Sequence, residues 1–301
     1  MPERTAPGTI ADVLGEAVEQ LERSGLADPR REARALWAAA AGGNVKAGDV
    51  WLERDRAARA HVSRRFREAV ERRASGMPFA YVVGRTEFRT LALGLDRRAL
   101  IPRPETEELV DLVLKWTKER GDGGWGTGGV VADIGTGCGC IALSLAVEGD
   151  FERVIAVERS SGAAALAREN VALMRPPVPV EVRTGDLLAP LAGGRLRAIV
   201  SNPPYLTERE YLDLDPAVRL FEPRQALVSG PDGLDATRAL LAGARELLEP
   251  GGLLALEIDE RRADLVGALA RRHGWSRVAV YDDLFGRPRF LLASLAEGGG
   301  T

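Results

Sequence analysis

The sequence predicts an α/β protein in which a small helical domain precedes a doubly wound, Rossmann-like sheet. Three observations carry that prediction. From residue 130 onward, short apolar runs alternate with helical stretches, the rhythm of parallel strands joined by crossover helices. One such run ends in the glycine-rich turn Gly135-Thr136-Gly137-Cys138-Gly139 just before a helix. The first 75 residues carry helical spacing and almost no strand signal.

The expected boundaries are a helical domain over 1–75, a hairpin linker over 76–101 and the α/β domain over 102–301. Ile10, Val13, Leu14, Ala17, Val18 and Leu21 recur at helical spacing, and Ala33, Leu36, Trp37 and Ala40 repeat the pattern after Asp28-Pro29. Arg54 to Arg73 holds eight arginines, with Val62, Phe66 and Val70 as its buried stripe. This stretch reads as a solvated basic face, and a contact surface for an RNA-associated partner is the alternative.

From Gly76 to Ile101 short alternating segments, Thr86-Glu87-Phe88-Arg89 and Leu91-Ala92-Leu93, read as a hairpin. Pro102-Arg103-Pro104 fixes an extended backbone, and Glu105-Thr106-Glu107-Glu108 opens a helix reaching about Lys118. Gly121 to Gly129 is a glycine-rich loop. Strands follow at Val130–Ile134, Arg153–Val157, Val180–Thr184, Leu196–Ser201, Leu253–Ile258, Ser276–Tyr281 and Arg289–Ser294. Helices are expected at Ile141–Val147, Ala163–Met174, Ala236–Leu248 and Arg261–His273. The stretch from Asn202 to Asp232 has little periodicity, and a loop of that length inside a compact domain usually carries function.

Composition narrows the function classes. A chain of 301 residues exceeds the range in which one hydrophobic core keeps growing, and 45% apolar with 28% charged residues is ordinary for a globular protein. Lys and Arg (41) against Asp and Glu (44) give −3, so direct nucleic-acid binding driven by overall charge is not expected. The charge is uneven: 16 basic and 13 acidic residues in 1–95 (+3) face 25 and 31 in 96–301 (−6). The polar segment Met1 to Ile10 lacks the apolar region of a leader, and no apolar run approaches the roughly 18 residues of a membrane span. Cys138 and Cys140 fit a reducing compartment, so a cytoplasmic protein without a membrane partner is expected. With His61 and His273 far apart, these cysteines make no zinc spacing, and no metal is expected.

The candidate site lies at strand ends. Glycines in the Gly135–Gly139 turn let the backbone approach a ligand beside a helix N-terminus. Asp133 is expected to point its carboxylate into the crevice. Glu158 ends the next strand, where a carboxylate can accept both hydroxyls of a ribose. Asp186, in Thr184-Gly185-Asp186-Leu187, is placed to accept from an adenine amino group. The fourth strand ends in Ser201-Asn202-Pro203-Pro204-Tyr205, whose prolines lock the backbone so that the Asn202 side chain and the Pro203 carbonyl become fixed acceptors. Tyr205 adds a flat face. Such a group suits a planar nitrogen substrate. Two acceptors would orient the nitrogen of an amide or exocyclic amine toward an electrophilic methyl, and positioning would carry most of the reaction.

At these residues the chain resembles the release-factor glutamine methyltransferases of the PrmC/HemK type. The marks are Ile101-Pro102-Arg103-Pro104-Glu105-Thr106-Glu107, Asp133-Ile134-Gly135-Thr136-Gly137, Ser201-Asn202-Pro203-Pro204-Tyr205, Phe221-Glu222-Pro223-Arg224 and Gly230-Pro231-Asp232-Gly233. The resemblance implies a class I S-adenosylmethionine-dependent methyltransferase sheet. It also implies methyl transfer from S-adenosylmethionine to the glutamine amide of a Gly-Gly-Gln motif in class-1 peptide chain release factors. Carried over by position, Asp133, Gly135, Thr136, Gly137, Cys138, Gly139, Glu158, Asp186, Leu187 and Asn202 would bind the cofactor. Asn202, Pro203 and Tyr205 would form the catalytic group. Pro204, Arg103, Glu105, Thr106 and Glu107 would line the substrate site with them, and Phe221, Glu222 and Pro223 would shape its entrance.

The sequence departs from the family at Glu158, where Asp is frequent, and at Asp259, where Gly is common. Such a protein is expected to be a monomer. A methyltransferase acting on a ribosomal-protein glutamine shares nearly every motif, and a nucleic-acid amino-methyltransferase shares Asn-Pro-Pro-Tyr. A binding module that has lost turnover is the non-enzymatic alternative.

Overall fold

The computed structural model describes residues 8–42, 45–120, 128–191 and 193–297. Most of the glycine-rich loop expected over Gly121–Gly129, and the first seven residues of the polar N-terminal segment, lie outside the described residues. Two compact units result: residues 1–84 with 216–221, and residues 85–215 with 222–301.

The first unit is helical: α1 (Ile10–Arg23), α2 (Pro29–Ala41), α3 (Asp49–Leu52), α4 (Ala60–Ala74) and α5 (Phe79–Val83). Thr9 and Asp12 cap α1 reciprocally, each accepting a backbone N–H of the other. Asp28 caps α2, and Pro29 occupies its first turn, where a missing N–H does no harm. Leu21, Leu36 and Phe66 are fully buried in the core of this unit, and the Trp37 and Phe66 rings meet edge to face, 5.2 Å apart. Val62, Phe66 and Val70 form the buried stripe of α4 that their four-residue spacing predicts.

The second unit opens with the hairpin β1 (Arg85–Phe88) and β2 (Leu91–Gly94). The expected linker over 76–101 therefore resolves differently. Residues 79–83 are helical and group with the first unit, ending at Gly84 in a left-handed conformation (φ 73°). The hairpin belongs to the second unit because Leu91 and Leu93 turn inward and the Asn170 side chain binds the Gly94 backbone at both its N–H and its carbonyl (2.8 and 3.0 Å).

There follow α6 (Glu105–Arg120), β3 (Val130–Ile134), α7 (Cys140–Glu148), β4 (Arg153–Glu158), α8 (Ser161–Met174), β5 (Val180–Thr184) and β6 (Leu196–Ser201). Two short helices, α9 (Glu208–Leu212) and α10 (Pro216–Phe221), interrupt the long loop after β6. The chain closes with α11 (Asp235–Leu247), β7 (Leu248–Glu257), α12 (Ala263–Arg272), β8 (Arg277–Asp282) and β9 (Pro288–Ser294).

The seven strands are ordered β5-β4-β3-β6-β7-β9-β8, and β9 alone runs opposite to the other six. Central strands covered on both faces must be apolar throughout, and β3, β4, β6 and β7 are nearly so. Arg153, Arg197 and Glu249 lie toward the N-terminal ends of these strands, and Asp133, Glu158, Ser201 and Glu257 cluster at the C-terminal ends. From β3 the chain first builds outward to β5 and then returns to β6 on the other side. The carboxyl ends of β3 and β6 thus flank the point where strand order reverses, the place where open α/β sheets bind ligands.

Candidate active site

A cleft of about 360 Å³ opens at this reversal point. Its lining includes Gly135 and Gly137 after β3, Glu158 and Ser160 after β4, Gly185, Asp186 and Leu187 after β5, and Asn202 and Pro204 after β6. Ala99, Leu100 and Val157 add apolar walls, and Pro223, Ser229 and Gly230 come from the far end of the long loop.

The turn after β3 explains its glycines. Gly135, Gly137 and Gly139 all adopt positive φ (73°, 58° and 89°), a region L side chains rarely enter. The backbone N–H groups of Gly135 and Thr136 both donate to the Val157 carbonyl, folding the turn over the adjacent strand (2.8 and 3.0 Å). Buried Asn170 donates to the Cys138 carbonyl at 2.8 Å and ties the turn to α8. Cys138 and Cys140 are both buried.

Asp133 corrects one expectation. Its side chain is fully buried beneath the turn and does not reach the crevice. Oδ2 accepts from the Thr136 hydroxyl at 2.5 Å and from the Ala142 backbone N–H at 3.1 Å, so the carboxyl braces the turn against the first turn of α7. Oδ1 is buried without a hydrogen-bond partner. Burial pushes this carboxyl up to about 7, against the lowering effect of the Thr136 and Ala142 bonds.

Glu158 does face the cleft. Its two oxygens accept separately, Oε2 from Gly137 N–H at 3.0 Å and Oε1 from Ser160 N–H at 2.8 Å. The carboxylate is thereby held at the mouth between the two loops. Asp186 is largely exposed and lies 3.8 Å from Arg159. Leu187 beside it adopts φ 44°, a strained conformation for a branched side chain and one that clusters at ligand sites.

Asn202 stands one residue past β6, with Ser201 anchoring the strand end through a 2.7 Å bond to the Ile134 carbonyl. The Asn202 side-chain N–H donates to Thr106 Oγ1 at 3.1 Å, and Thr106 donates to Glu257 Oε2 at 2.7 Å. The adjoining Pro203 is buried. Tyr205 is partly buried, and burial first, with Glu257 adding, pushes its phenol up to about 12, so it is neutral at physiological pH. A side chain at Gly233 (φ 78°) would strike the Tyr205 carbonyl at 2.3 Å, which accounts for the second glycine of Gly-Pro-Asp-Gly.

The Ile101–Glu107 segment splits into separate duties. Arg103 donates to Glu222 Oε1 at 2.6 Å, and Glu222 Oε2 accepts from the Ile101 N–H at 3.2 Å. Arg103 and Glu222 therefore bind each other and join the two loops. Glu107 does not line the cleft; it accepts from the Arg89 backbone N–H at 2.8 Å and supports the hairpin turn. Residues on a helix advance by 100° each, so Glu105, Thr106 and Glu107 cannot share one face. Glu105 is likewise absent from the cleft lining. Phe221, expected at the entrance, groups with the helical unit, whereas Pro223 lines the cleft.

Asp259, the other departure, has φ −71° and needs no glycine. It pairs with Arg261 and Arg262 at 2.5 and 2.6 Å, and both arginines also reach Glu210 on α9 (3.0 and 2.8 Å). Sequence reasoning missed Glu257, although a carboxylate ending the apolar run Leu253-Leu254-Ala255-Leu256 was its signal. It also missed Ser229 and Gly230, which adjoin or open the Gly-Pro-Asp-Gly motif but had been given no role.

The donor set fits S-adenosylmethionine. Anchored Glu158 offers a ribose acceptor, Asp186 and apolar Leu100 and Leu187 suit an adenine, and the positive-φ glycines leave the floor free of side chains. No group of three or more His, Cys, Asp or Glu side chains among the described residues could hold a metal ion. No described helix is long and apolar enough to cross a membrane.

Comparisons with known proteins accord with this arrangement. Residues 12–84 match the PrmC N-terminal domain, and residues 114–233 match the methyltransferase small domain. The chain is 42% identical over 290 residues to a release factor glutamine methyltransferase of Moorella thermoacetica, covering 96% of this chain and 99% of that one. A protein of the same description from Deinococcus radiodurans is 39% identical over 297 residues, covering 96% and 99%. A crystal structure of a methyltransferase from Pyrococcus furiosus shares the fold, with a TM-score of 0.50 and 20% identity over 68% of this chain and 88% of that one. The chain belongs to the release factor glutamine methyltransferase family.

Proposed function

We propose that this protein methylates the side-chain amide nitrogen of the glutamine in the Gly-Gly-Gln motif of class-1 peptide chain release factors, using S-adenosylmethionine. The observation that carries the reading is the placement of Asn202: it lines the cleft at the strand-order reversal, and its amide nitrogen is already engaged by Thr106. Full-length similarity to proteins described as release factor glutamine methyltransferases supports the same substrate.

Glu158 would hold the ribose, Asp186 and Leu187 the adenine, and the Gly135–Gly139 turn the methionine portion. S-adenosylmethionine, when bound, supplies an electrophilic methyl group. Asn202 Oδ1 and the Pro203 carbonyl would each accept one N–H of the substrate amide, with Tyr205 packing on its plane. An amide nitrogen is a poor nucleophile because its lone pair is delocalised, so fixing its orientation is the main service the protein renders. No strong base is needed, since the proton becomes acidic as the new bond forms.

The helical unit would recognise the folded substrate, with the arginine-rich face of α4 as its contact. A monomer working in the cytoplasm completes this reading. The test is mass spectrometry of purified class-1 release factor, and separately of ribosomal proteins, after incubation with the enzyme and S-adenosylmethionine. A one-methyl increase on the Gly-Gly-Gln peptide is the expected result. Methyl found only on a ribosomal protein would overturn it.

A further inference from the structure

We propose that Glu257 is a positioning residue for the reaction: through Thr106 it dictates which end of the Asn202 side chain faces the cleft. The inference rests on the glutamine-amide reading above.

A threonine hydroxyl owns one proton. With that proton given to Glu257 Oε2 at 2.7 Å, the hydroxyl offers Asn202 only lone pairs. The amide nitrogen of Asn202 must then face Thr106, as it does at 3.1 Å. Oδ1 is left without a partner among the described residues, on a side chain that lines the cleft. That oxygen can accept a substrate N–H. The reverse orientation would set one NH2 group against another.

Thr106 and Glu257 are only 2% and 1% exposed, and neither lines the cleft, so water does not compete for these bonds. Glu257 would act through the orientation of Asn202 and not by touching substrate. The charged and titratable groups around it are Glu105 on α6, Arg103 just before that helix, Arg289 on β9 and the Tyr205 phenol after β6. Arg289 is itself tied to Asp283 at 3.0 Å, and Arg103 to Glu222. Burial outweighs the lowering effects of Thr106, Arg289 and Arg103 and pushes the Glu257 carboxyl up to about 7. A protonated Glu257 can donate to Thr106, which can then donate to Asn202 Oδ1 and reverse the chain.

The experiment measures kcat and KM for methylation of purified class-1 release factor by the full chain across the neutral pH range, for wild type, T106V, T106S and E257Q. Calorimetry with S-adenosylhomocysteine provides a readout independent of turnover. Expected for T106V is a fall in kcat of roughly 100-fold with S-adenosylhomocysteine affinity unchanged within about threefold, because only the orientation of the amide is lost. T106S, which restores the hydroxyl, recovers most of that loss. Wild-type kcat declines on the acid side of about 7. E257Q can accept from or donate to Thr106, so its rate lies below the wild-type plateau and is flat with pH.

Wild-type kcat in T106V, or an acid limb that persists unshifted in E257Q, overturns the proposal. Should T106V lose its melting transition, the E257Q profile decides alone. A wild-type protein that methylates no glutamine amide refutes the substrate reading instead, which keeps the two failures apart.

Discussion

Arg103 and Glu222, 119 residues apart in sequence, meet in a 2.6 Å ion pair that joins the segment before α6 to the distal end of the long loop after β6. Glu222 is almost wholly buried there, while the Arg103 side chain is about one-third exposed (34%). Removing the arginine strands a buried carboxylate. We expect Arg103→Ala to destabilise the protein by about 2 kcal/mol, below the roughly 3–5 kcal/mol of a fully buried pair because Arg103 retains solvent contact. Urea denaturation measures this, and Glu222→Gln, which keeps an acceptor for Ile101 N–H, should lose less than Arg103→Ala.

Glu158 holds two backbone N–H groups at the cleft mouth. Glu158→Ala is expected to weaken S-adenosylhomocysteine binding by roughly 10- to 100-fold, since a carboxylate accepting ribose hydroxyls makes charge-assisted bonds. Glu158→Asp should lose less. Isothermal calorimetry gives both values, and unchanged affinity in the alanine variant would remove Glu158 from the cofactor site.

Asn202→Ala deletes the proposed amide acceptor without touching the cofactor-facing turn. Its kcat should fall at least about 100-fold while S-adenosylhomocysteine affinity stays within a few-fold of wild type. Wild-type turnover in this variant would sink the proposed mechanism.

Asp133 makes stability depend on pH. Its folded carboxyl titrates at about 7, above the roughly 3.9 of an unfolded aspartate. Between these values the folded state holds a proton that the unfolded state lacks. The stabilisation is therefore complete below the unfolded value and is lost as pH rises through the folded one. Asp133→Asn removes that titration. Relative to wild type, its Tm should rise by on the order of 5 °C as pH goes from about 4 to about 7, read by scanning calorimetry. A constant difference across that range would mean Asp133 is ionised when buried.

The basic face of α4 gives the helical unit its own test. Reversing Arg64, Arg65 and Arg67 to glutamate should raise KM for intact release factor several-fold, with kcat nearly constant. An unchanged KM would leave these arginines as solvated surface.

Local chemistry alone specified much of this protein. The alternation of apolar runs and helical stretches located every strand of the seven-stranded sheet: central strands buried on both faces are mainly apolar, and the edge strands β5 and β8 are more exposed, β5 alternating apolar with polar residues. Gly135, Gly137 and Gly139 were readable as a ligand-facing turn because only glycine enters positive φ without strain. Asn202 followed by two prolines announced a rigid acceptor.

What tertiary packing decided is where carboxylates point and which distant groups meet them. Asp133 sits beside the turn in sequence, yet its carboxyl is swallowed beneath it, since the last inward-facing position of a central strand has no route to solvent. Arg103, Glu107 and Glu222 looked like free site-lining charges, and folding gave Arg103 and Glu222 to each other and Glu107 to Arg89. Glu257 could be read as a strand-end carboxylate, but not its role, because its partner Thr106 lies 151 positions away. Sequence pattern reports what a residue needs from its immediate neighbours. Hydrogen-bond partners across the sheet are chosen only when strand order brings separate segments to one edge, and here that order set the Asn202 amide against Thr106.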